Sequence, residues 1–443
     1  MGEVYGILHA MRKLRESLGQ HRIVGGALVL AVTQFGASLM GLLRDRLLAQ
    51  TFPALEVVDV YIASFRPSDL LFQLSISAGF VALVPLLARY RAEGDTKEMS
   101  RLLSSVIVLS AFSFGALALI LALLFPWIAP LLTQFQGSSL VLYTDFGRLA
   151  LLTNLPFVFG AAFGQYLTTI QRYWVFGLTP ILYTLGTILG TVFLTPIVGP
   201  YGPILGTVGG TVVYALLRFL AVSREGFHPT WMLWHPDLSQ FGWMMVPRII
   251  ALGALQLELL LFDTLASGLG SGAVTINAYA RNFQSVVIGV IGIALAQSAF
   301  SPLSQAAAKG DRGRFWLTLQ KGVLVLIALT IPAAIALIAL APLAAWLVNL
   351  NRVLPLFSVS LALYAVSIPF ESLNHLLLRS FYALKDTVVP AIVGVLNGTI
   401  AIALSWSLTP RFGVWALALG FTVGQVIQML GLVWALPRKV RRI

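Results

Sequence analysis

Apolar residues run along this chain in about twelve stretches, each long enough to cross roughly 30 Å of hydrocarbon at about 1.5 Å per helical residue. They fall at 23–50, 57–88, 100–125, 142–170, 174–196 and 202–222, then at 242–267, 273–303, 314–348, 354–383, 387–409 and 413–436. The apolar runs are continuous, whereas the strands of an outer-membrane barrel alternate apolar with polar residues. The pattern therefore predicts an all-α polytopic membrane protein. Ahead of the first stretch, Ile7, Leu8, Met11, Leu14 and Leu18 recur at helical spacing with Arg12, Lys13 and Arg15 between them. Residues 1–22 read either as an interfacial amphipathic helix or as a frayed basic tail. The first long run has no small-residue cleavage site, so no cleavable signal peptide is expected.

The second half of the chain repeats landmarks of the first. DVYIASFRPSDLLF (59–72) leading to VPLLARYRAEGD (84–95) has its counterpart in NAYARNFQSVV (277–287) leading to SPLSQAAAKGD (301–311). Phe65 stands 20 residues before Pro85, and Phe283 stands 19 before Pro302. Leu155-Pro156-Phe157 matches Ile368-Pro369-Phe370, Pro180 matches Pro390, and Tyr201-Gly202 matches Phe412-Gly413. A six-span unit returns the chain to its starting side, so the two copies share one orientation and predict two lobes related by a pseudo-twofold axis along the membrane normal. The expected organisation is a segment 1–22, an N-lobe 23–222, a linker 223–241, a C-lobe 242–436 and a basic tail 437–443. The two six-helix lobes would flank a central cavity and rock to give alternating access.

Composition agrees with this reading. The 443 residues are 58% hydrophobic and 10% charged, with a mean hydropathy of +0.88. Soluble domains carry about 25% charge, so a water-soluble or disordered protein is excluded. With no cysteine, disulfides, iron–sulfur clusters and thiolate zinc sites are excluded as well. The net charge of +12 would suggest nucleic acid in a soluble protein, but here the position of the charges decides. Twenty Lys and Arg residues fall on one set of termini and loops, Arg218 and Arg224 among them, whereas only Arg352 and Arg411 fall on the other set. This positive-inside bias predicts that both termini are cytoplasmic.

Seven arginines remain inside spans: Arg44, Arg46, Arg66, Arg148, Arg248, Arg281 and Arg379. A charge in hydrocarbon costs at least ~2.5–3.5 kcal/mol, so each must face protein or water. Arg44, Arg66 and Arg281 lie at similar depth in the outer half, drawn from both lobes, with Asp45, Asp59, Asp69 and Asp263 in the same zone. A guanidinium fork matches oxyanion geometry, which suits a pyrophosphate or carboxylate-rich ligand. The alternative is a set of ion pairs, such as Arg66 with Asp69, that holds the lobes together. Arg46 points to another helix face than Arg44 and needs its own partner. Arg148, Arg248 and Arg379 sit near span ends, where they can snorkel.

Glu258 and Glu371 are deeper acids, suited either to proton or sodium coupling or to a neutral hydrogen bond between helices. Asp263 and Asn397 could supply oxygens to a cation site. Gly186/Gly190 and Gly206/Gly210 carry the spacing of close helix packing. Pro85, Pro156, Pro247, Pro332 and Pro369 mark hinges or tolerated kinks. The five histidines show no metal spacing, and neither a phosphate loop nor a nucleophile elbow is present, so no enzyme and no cofactor are expected.

GLLRDRLLA (41–49), VDVYIASFRPSDLL (58–71) and VPLLARY (84–90) resemble the opening of the MurJ/MviN family of lipid II flippases. VPRIIALGALQLELLLFDTLAS (246–267), GVIGIALAQSAFSPLSQ (289–305) and RSFYALKDTVVPAIVGVLN (379–397) extend the resemblance over nearly the whole chain. It implies the two-lobed fold of the multidrug/oligosaccharidyl-lipid/polysaccharide exporter superfamily and movement of lipid II from the inner to the outer leaflet of the inner membrane of a bacterium. It also implies ligand roles for Arg44 and Asp45 as the family's R-D pair, for Asp59, and for Arg66 in its F-[RK]-x-P motif. Four features depart from the family. Ser38 stands where an arginine is usual, Phe72 and Gln73 replace two arginines, and Ser77 replaces an acid. At the family's Y-A-D-R, Arg281 takes the acid's place and Asn282 the arginine's. The family also commonly has fourteen helices.

Lipid II or another polyprenyl-pyrophosphate-linked glycan is thus the expected cargo. Sodium, protons or membrane potential would drive the cycle, and membrane lipids and cell-wall synthesis proteins are expected partners. A cation-coupled drug exporter would depend on Glu258, Glu371 and Asp263 instead. A non-transporting cell-wall scaffold would tolerate Arg66→Ala and Arg281→Ala, which a flippase would not.

Overall fold

The computed structural model describes residues 29, 32–74, 78–239 and 256–441. The amphipathic segment 1–22, Ser77, Pro247, Arg248 and the early parts of the spans at 23–50 and 242–267 lie outside them. In chain order the helices are α1 (32–51), α2 (Glu56–Phe72), α3 (Ala78–Glu93), α4 (Thr96–Leu132), α5 (Gly137–Thr169), α6 (Tyr173–Leu189) and α7 (Gly202–Arg224). Then follow α8 (256–267), α9 (Ala273–Val287), α10 (Ala294–Ala308), α11 (Arg312–Ala339), α12 (Ala341–Leu347), α13 (Leu354–Ala383), α14 (Val388–Phe412) and α15 (Trp415–Val440). Among the described residues there is no strand.

Eight stretches of the described residues are long and apolar enough to cross a membrane. They cover nine of the twelve expected spans, because Tyr173–Arg224 holds two. Their outward faces are apolar, with Phe112, Leu131 and Ile197 almost wholly exposed, as a hydrocarbon solvent requires. Pro85, Pro156, Pro332 and Pro369 all sit inside continuous helix. A feature not expected from the sequence marks both repeats: a wide, π-helical turn follows α2 at 73–74 and joins α9 to α10 at Ile288–Ile293.

The described residues gather into two compact units, one drawn from 1–44, 75–120 and 149–248, the other from 45–74, 121–148 and 249–443. In the first, the glycine pairs do what their spacing implied. A methyl group on Gly186 or Gly190 of α6 would overlap the carbonyl oxygens of Gly206 or Gly202 on α7, so the two backbones touch. Arg218, read above as part of a basic loop, is instead buried within α7. It donates to the Gly160 and Phe176 carbonyls at 2.7 and 2.8 Å and to the Thr179 and Tyr214 hydroxyls at 2.7 and 2.6 Å, which ties α5, α6 and α7 together. The charge survives burial because the guanidinium meets four oxygens and the faces of Phe176 and Tyr214.

The second unit is centred on Ala296, Leu303, Phe315, Leu326, Leu376 and Leu432 from α10, α11, α13 and α15. The D-T-x-x-P motif acquires a reason here. Asp386 accepts from the Val388 and Val389 N–H groups at 3.0 and 3.2 Å, capping α14, and pairs with Lys439 at the end of α15. Burial alone would raise its carboxyl, but Lys439 and the two N–H groups hold it below the ordinary carboxylate range.

The α6–α7 contact yields a stability prediction. Gly206→Val should cost about 1–3 kcal/mol through overpacking, read as a lower thermal midpoint in detergent. Gly209→Val on the same helix, where the added carbon meets open space, should leave the midpoint unchanged.

Candidate functional site

The second unit brings together the helix ends that the charge pattern assigns to the outer side, and the ties between them join the two sequence repeats. Asp59 of α2 is 1% exposed, and among the described residues its hydrogen-bond partners are backbone N–H groups and a hydroxyl rather than a cation. One carboxylate oxygen accepts from the Gly272 N–H at 2.5 Å; the other accepts from the Thr275 N–H at 2.7 Å and its hydroxyl at 2.5 Å. These are orphan donors at the start of α9, where the helix dipole also favours a negative charge. Asp59 therefore acts as an N-cap supplied by the other repeat. Around it, Ser271 donates to the Ala54 carbonyl, Tyr279 to that of Asp45 at 3.2 Å, and Thr264 to that of Leu132 at 2.6 Å. Arg46 finds its separate partner in the Trp346 carbonyl at 2.9 Å, with its guanidinium over the Trp346 ring.

About two turns further along α2, Arg66 donates through Nε to Asp263 of α8 at 2.5 Å. The sequence had suggested Asp69 as its ion-pair partner, but the direct pair is with the opposite repeat. Arg281 of α9 meets Glu258 of α8 at 3.4 Å and lies over the Phe421 ring, while its Nη1 is buried with no hydrogen-bond partner. The two pairs share an electrostatic neighbourhood: Asp263 acts on Asp59, and Arg281, Glu258, Asp263 and Glu371 all act on Tyr364.

Below these pairs runs a polar spine that the sequence reading found only in part. α9 presents Asn277, Arg281 and Gln284 at helical spacing; α13 presents Tyr364, Ser367, Glu371 and Asn374; and α15 presents Gln425 and Gln428. Tyr364 donates to Asn277 at 2.7 Å, Gln284 to Glu371 at 2.5 Å and to Ser367 at 3.1 Å, and Asn374 to the Gln425 side chain at 2.9 Å. Asn397 of α14 donates to Gln428 at 2.9 Å, and its own Oδ1 has no partner. Each stripe was visible as polar residues recurring at three and four positions within apolar helices.

Of the expected ligand residues, Asp59, Arg66 and Arg281 thus converge within this unit. Asp45 is buried near the end of α1. Arg44, half-buried, falls in the first unit by packing. Of the two proposed cation ligands, Asp263 is engaged by Arg66 and Asn397 by Gln428. Among the described residues, no group of three or more His, Asp or Glu side chains is placed to hold a metal ion. Of the outlying arginines within the described residues, Arg148 donates to the Ala122 carbonyl at 3.0 Å, and Arg379 lies over the Phe300 ring.

Paired charges at membrane depth in a fold of long apolar helices are compatible with a membrane carrier, and the solved structures that share this fold include carriers. A lipid II flippase MurJ in an inward closed conformation matches with a TM-score of 0.77 and 21% identity, covering 94% of this chain and 89% of that one. An inward-facing multidrug-resistance transporter of the MATE family, in the MOP superfamily, matches with a TM-score of 0.76 and 15% identity, covering 92% and 96%. The family model described as "Lipid II flippase MurJ" matches residues 48–443, and the chain belongs to that family. Relatives include the lipid II flippase MurJ of Burkholderia cenocepacia, 24% identical over 90% of this chain and 81% of that protein. A probable lipid II flippase MurJ of Bdellovibrio bacteriovorus is 23% identical over 97% and 84%.

The Asp59 cap is open to a stability test. Asp59→Ala should destabilise the protein by about 1–3 kcal/mol, the cost of stranding buried donors. Asp59→Asn keeps one acceptor and should lose less. A wild-type thermal midpoint for Asp59→Ala would show that the cap holds nothing.

Proposed function

We propose that the chain carries lipid II from the inner to the outer leaflet of the bacterial cytoplasmic membrane. The observation that carries this reading is membership of the flippase family over residues 48–443. The positive-inside bias supports placing both termini in the cytoplasm, and the internal repeat supports taking 23–222 and 242–436 as the moving lobes, with 223–241 as their linker.

The chemistry of the cargo suits the arginines. Lipid II presents a pyrophosphate, and oxyanions are bound best by guanidinium forks in places where water is scarce. Arg281 has a buried nitrogen to offer, and Arg66 is held by a carboxylate that an incoming pyrophosphate can displace as partner. Asp263 and Glu258 hold the two arginines in place until the headgroup arrives. With Arg281 one position earlier than the family's arginine, it supplies the cation that Asn282 does not. Arg44 and Asp45, just ahead of the matched residues, complete the proposed set.

The polar spine favours cation coupling as the drive. Glu371 accepts from the Gln284 amide, Glu258 is paired with Arg281, and Asn397 keeps a carbonyl oxygen without a partner. Protonation or sodium binding there would change the hold on Arg281, and through it the hold on the headgroup. Asp263 would enter such a site only when Arg66 turns to the cargo.

Purified protein in proteoliposomes with labelled lipid II tests both statements. Wild type should translocate, Arg66→Ala and Arg281→Ala should lose most of the rate with the thermal midpoint retained, and an imposed sodium or proton gradient should change the wild-type rate. Full transport by Arg281→Ala would remove that residue from the mechanism. No transport by folded wild type would point to another polyprenyl-linked glycan.

A further inference from the structure

The first unit contains a groove of about 560 Å³ that plays no part in the proposed transport path. It lies between α4, α5 and α7, with Ile107, Leu155, Phe159, Phe163, Leu216 and Phe219 among its walls. Its size is that of a small-molecule pocket, and its lining is nearly all hydrocarbon. From Leu155 to Phe163 along α5 it runs eight residues, about 12 Å at the helical rise, which is close to the depth of one leaflet. It begins on α4 at Ser104, two turns into a helix that starts on the side carrying the basic loops.

The mouth of the groove is built rather than incidental. The chain after α7 folds back over it, placing Phe227, Pro229, Thr230 and Trp231 as a roof. Several ties fasten this roof to the start of α4: the His228 N–H donates to Ser100 at 3.4 Å, the Thr230 N–H to Ser104 at 3.1 Å, and His235 meets Glu98 at 3.3 Å. Asp237 accepts from Arg89 at 2.5 Å and from Tyr90 at 2.7 Å. The fastened segment nevertheless turns apolar side chains outward, Trp231 at 97% exposed, Leu233 at 69% and Trp234 at 71%. Exposed tryptophans beside an apolar groove belong at the boundary between headgroups and hydrocarbon. On α4, Lys97, Arg101, Ser104 and Val108 form one helical stripe, so two exposed cations stand directly above the mouth. Glu98 beside them is shared by Arg101 and His235, and the Asp95 carboxylate accepts from the Glu98 N–H at 2.9 Å.

We infer that this groove holds one acyl chain of an anionic glycerophospholipid of the cytoplasmic leaflet, with its headgroup at Lys97 and Arg101 under the Trp231 roof. The inference rests on the cytoplasmic placement of the basic loops proposed above. An acyl chain fits because the groove is apolar, open to one side and about a leaflet deep. An anionic headgroup fits because the rim presents the exposed Lys97 and Arg101 where the leaflet surface is negative.

Native mass spectrometry of the full chain tests this. The probes are dioleoyl phosphatidylglycerol and dioleoyl phosphatidylcholine in equal amounts, which share acyl chains, with undecaprenyl phosphate as a third competitor. One phosphatidylglycerol should be retained, favoured about thirtyfold over phosphatidylcholine, as two basic residues at about 1 kcal/mol each imply. Ala215→Trp or Val108→Trp, each filling the groove, should lose both phospholipids. Lys97→Gln with Arg101→Gln should keep binding but lose the preference. A phosphatidylglycerol with a photoactivatable acyl chain should label peptides of α4, α5 and α7 in wild type, a readout independent of any variant's folding. Equal retention of the two phospholipids, labelling confined to other helices, or occupation by undecaprenyl phosphate instead would overturn the inference. Loss of lipid II transport with phosphatidylglycerol still bound would count against the proposed function and leave the groove assignment standing.

Discussion

Hydrocarbon offers a charge nothing, so every ionised group inside this bundle must find its partner in protein. That requirement organises the structure. Asp59 meets the start of α9, Arg66 meets Asp263, Arg281 meets Glu258, and Arg218 is held by four oxygens of its own unit. The first two cross from one sequence repeat to the other, and the third lies within the second repeat. The chain thus uses its unavoidable buried charges to join its two halves at one end.

Such ties are suited to a carrier because each is weak. Polar contacts between membrane helices are worth about 0.6 kcal/mol on average, up to about 1.7. A set of them sums to a few kcal/mol, enough to favour one conformation and small enough for a headgroup or a coupling cation to reverse. Arg66 and Arg281 serve both states on this account: each is neutralised by a carboxylate before the cargo arrives and by the cargo's phosphates afterwards. A hydrophobic latch of equal strength would offer the anionic cargo nothing to compete for.

Much of this was legible in the sequence. Continuous apolar runs gave the helices, the glycine spacing gave the α6–α7 contact, and the depth of Arg66 and Arg281 gave a zone of paired charge. Partner choice was not legible. Arg66 has Asp69 one turn away on its own helix, and only the fold brings Asp263 to it from 197 residues further along. Asp59 read as a ligand from its place in the family's motif; its capping role depends on a helix start 213 residues away. Arg218 read as a loop cation because it lies near the end of its span, and nothing local announces that Gly160, Phe176, Thr179 and Tyr214 surround it. The stripes on α9, α13 and α15 were present as periodicity, but each gains meaning only when the three helices face one another.

The central claim is that the tied ends part in every transport cycle. The chain has no cysteine, so a pair introduced at Ala54 and Ser271, where the Ser271 hydroxyl meets the Ala54 carbonyl, would be the only one able to form a disulfide. Lipid II translocation should be measured in proteoliposomes with this double variant, first oxidised and then reduced. Transport abolished by oxidation and restored by reduction is the expected result. An oxidised, cross-linked protein that moves lipid II at the reduced rate would contradict it, and the ties would then be static structure rather than a gate.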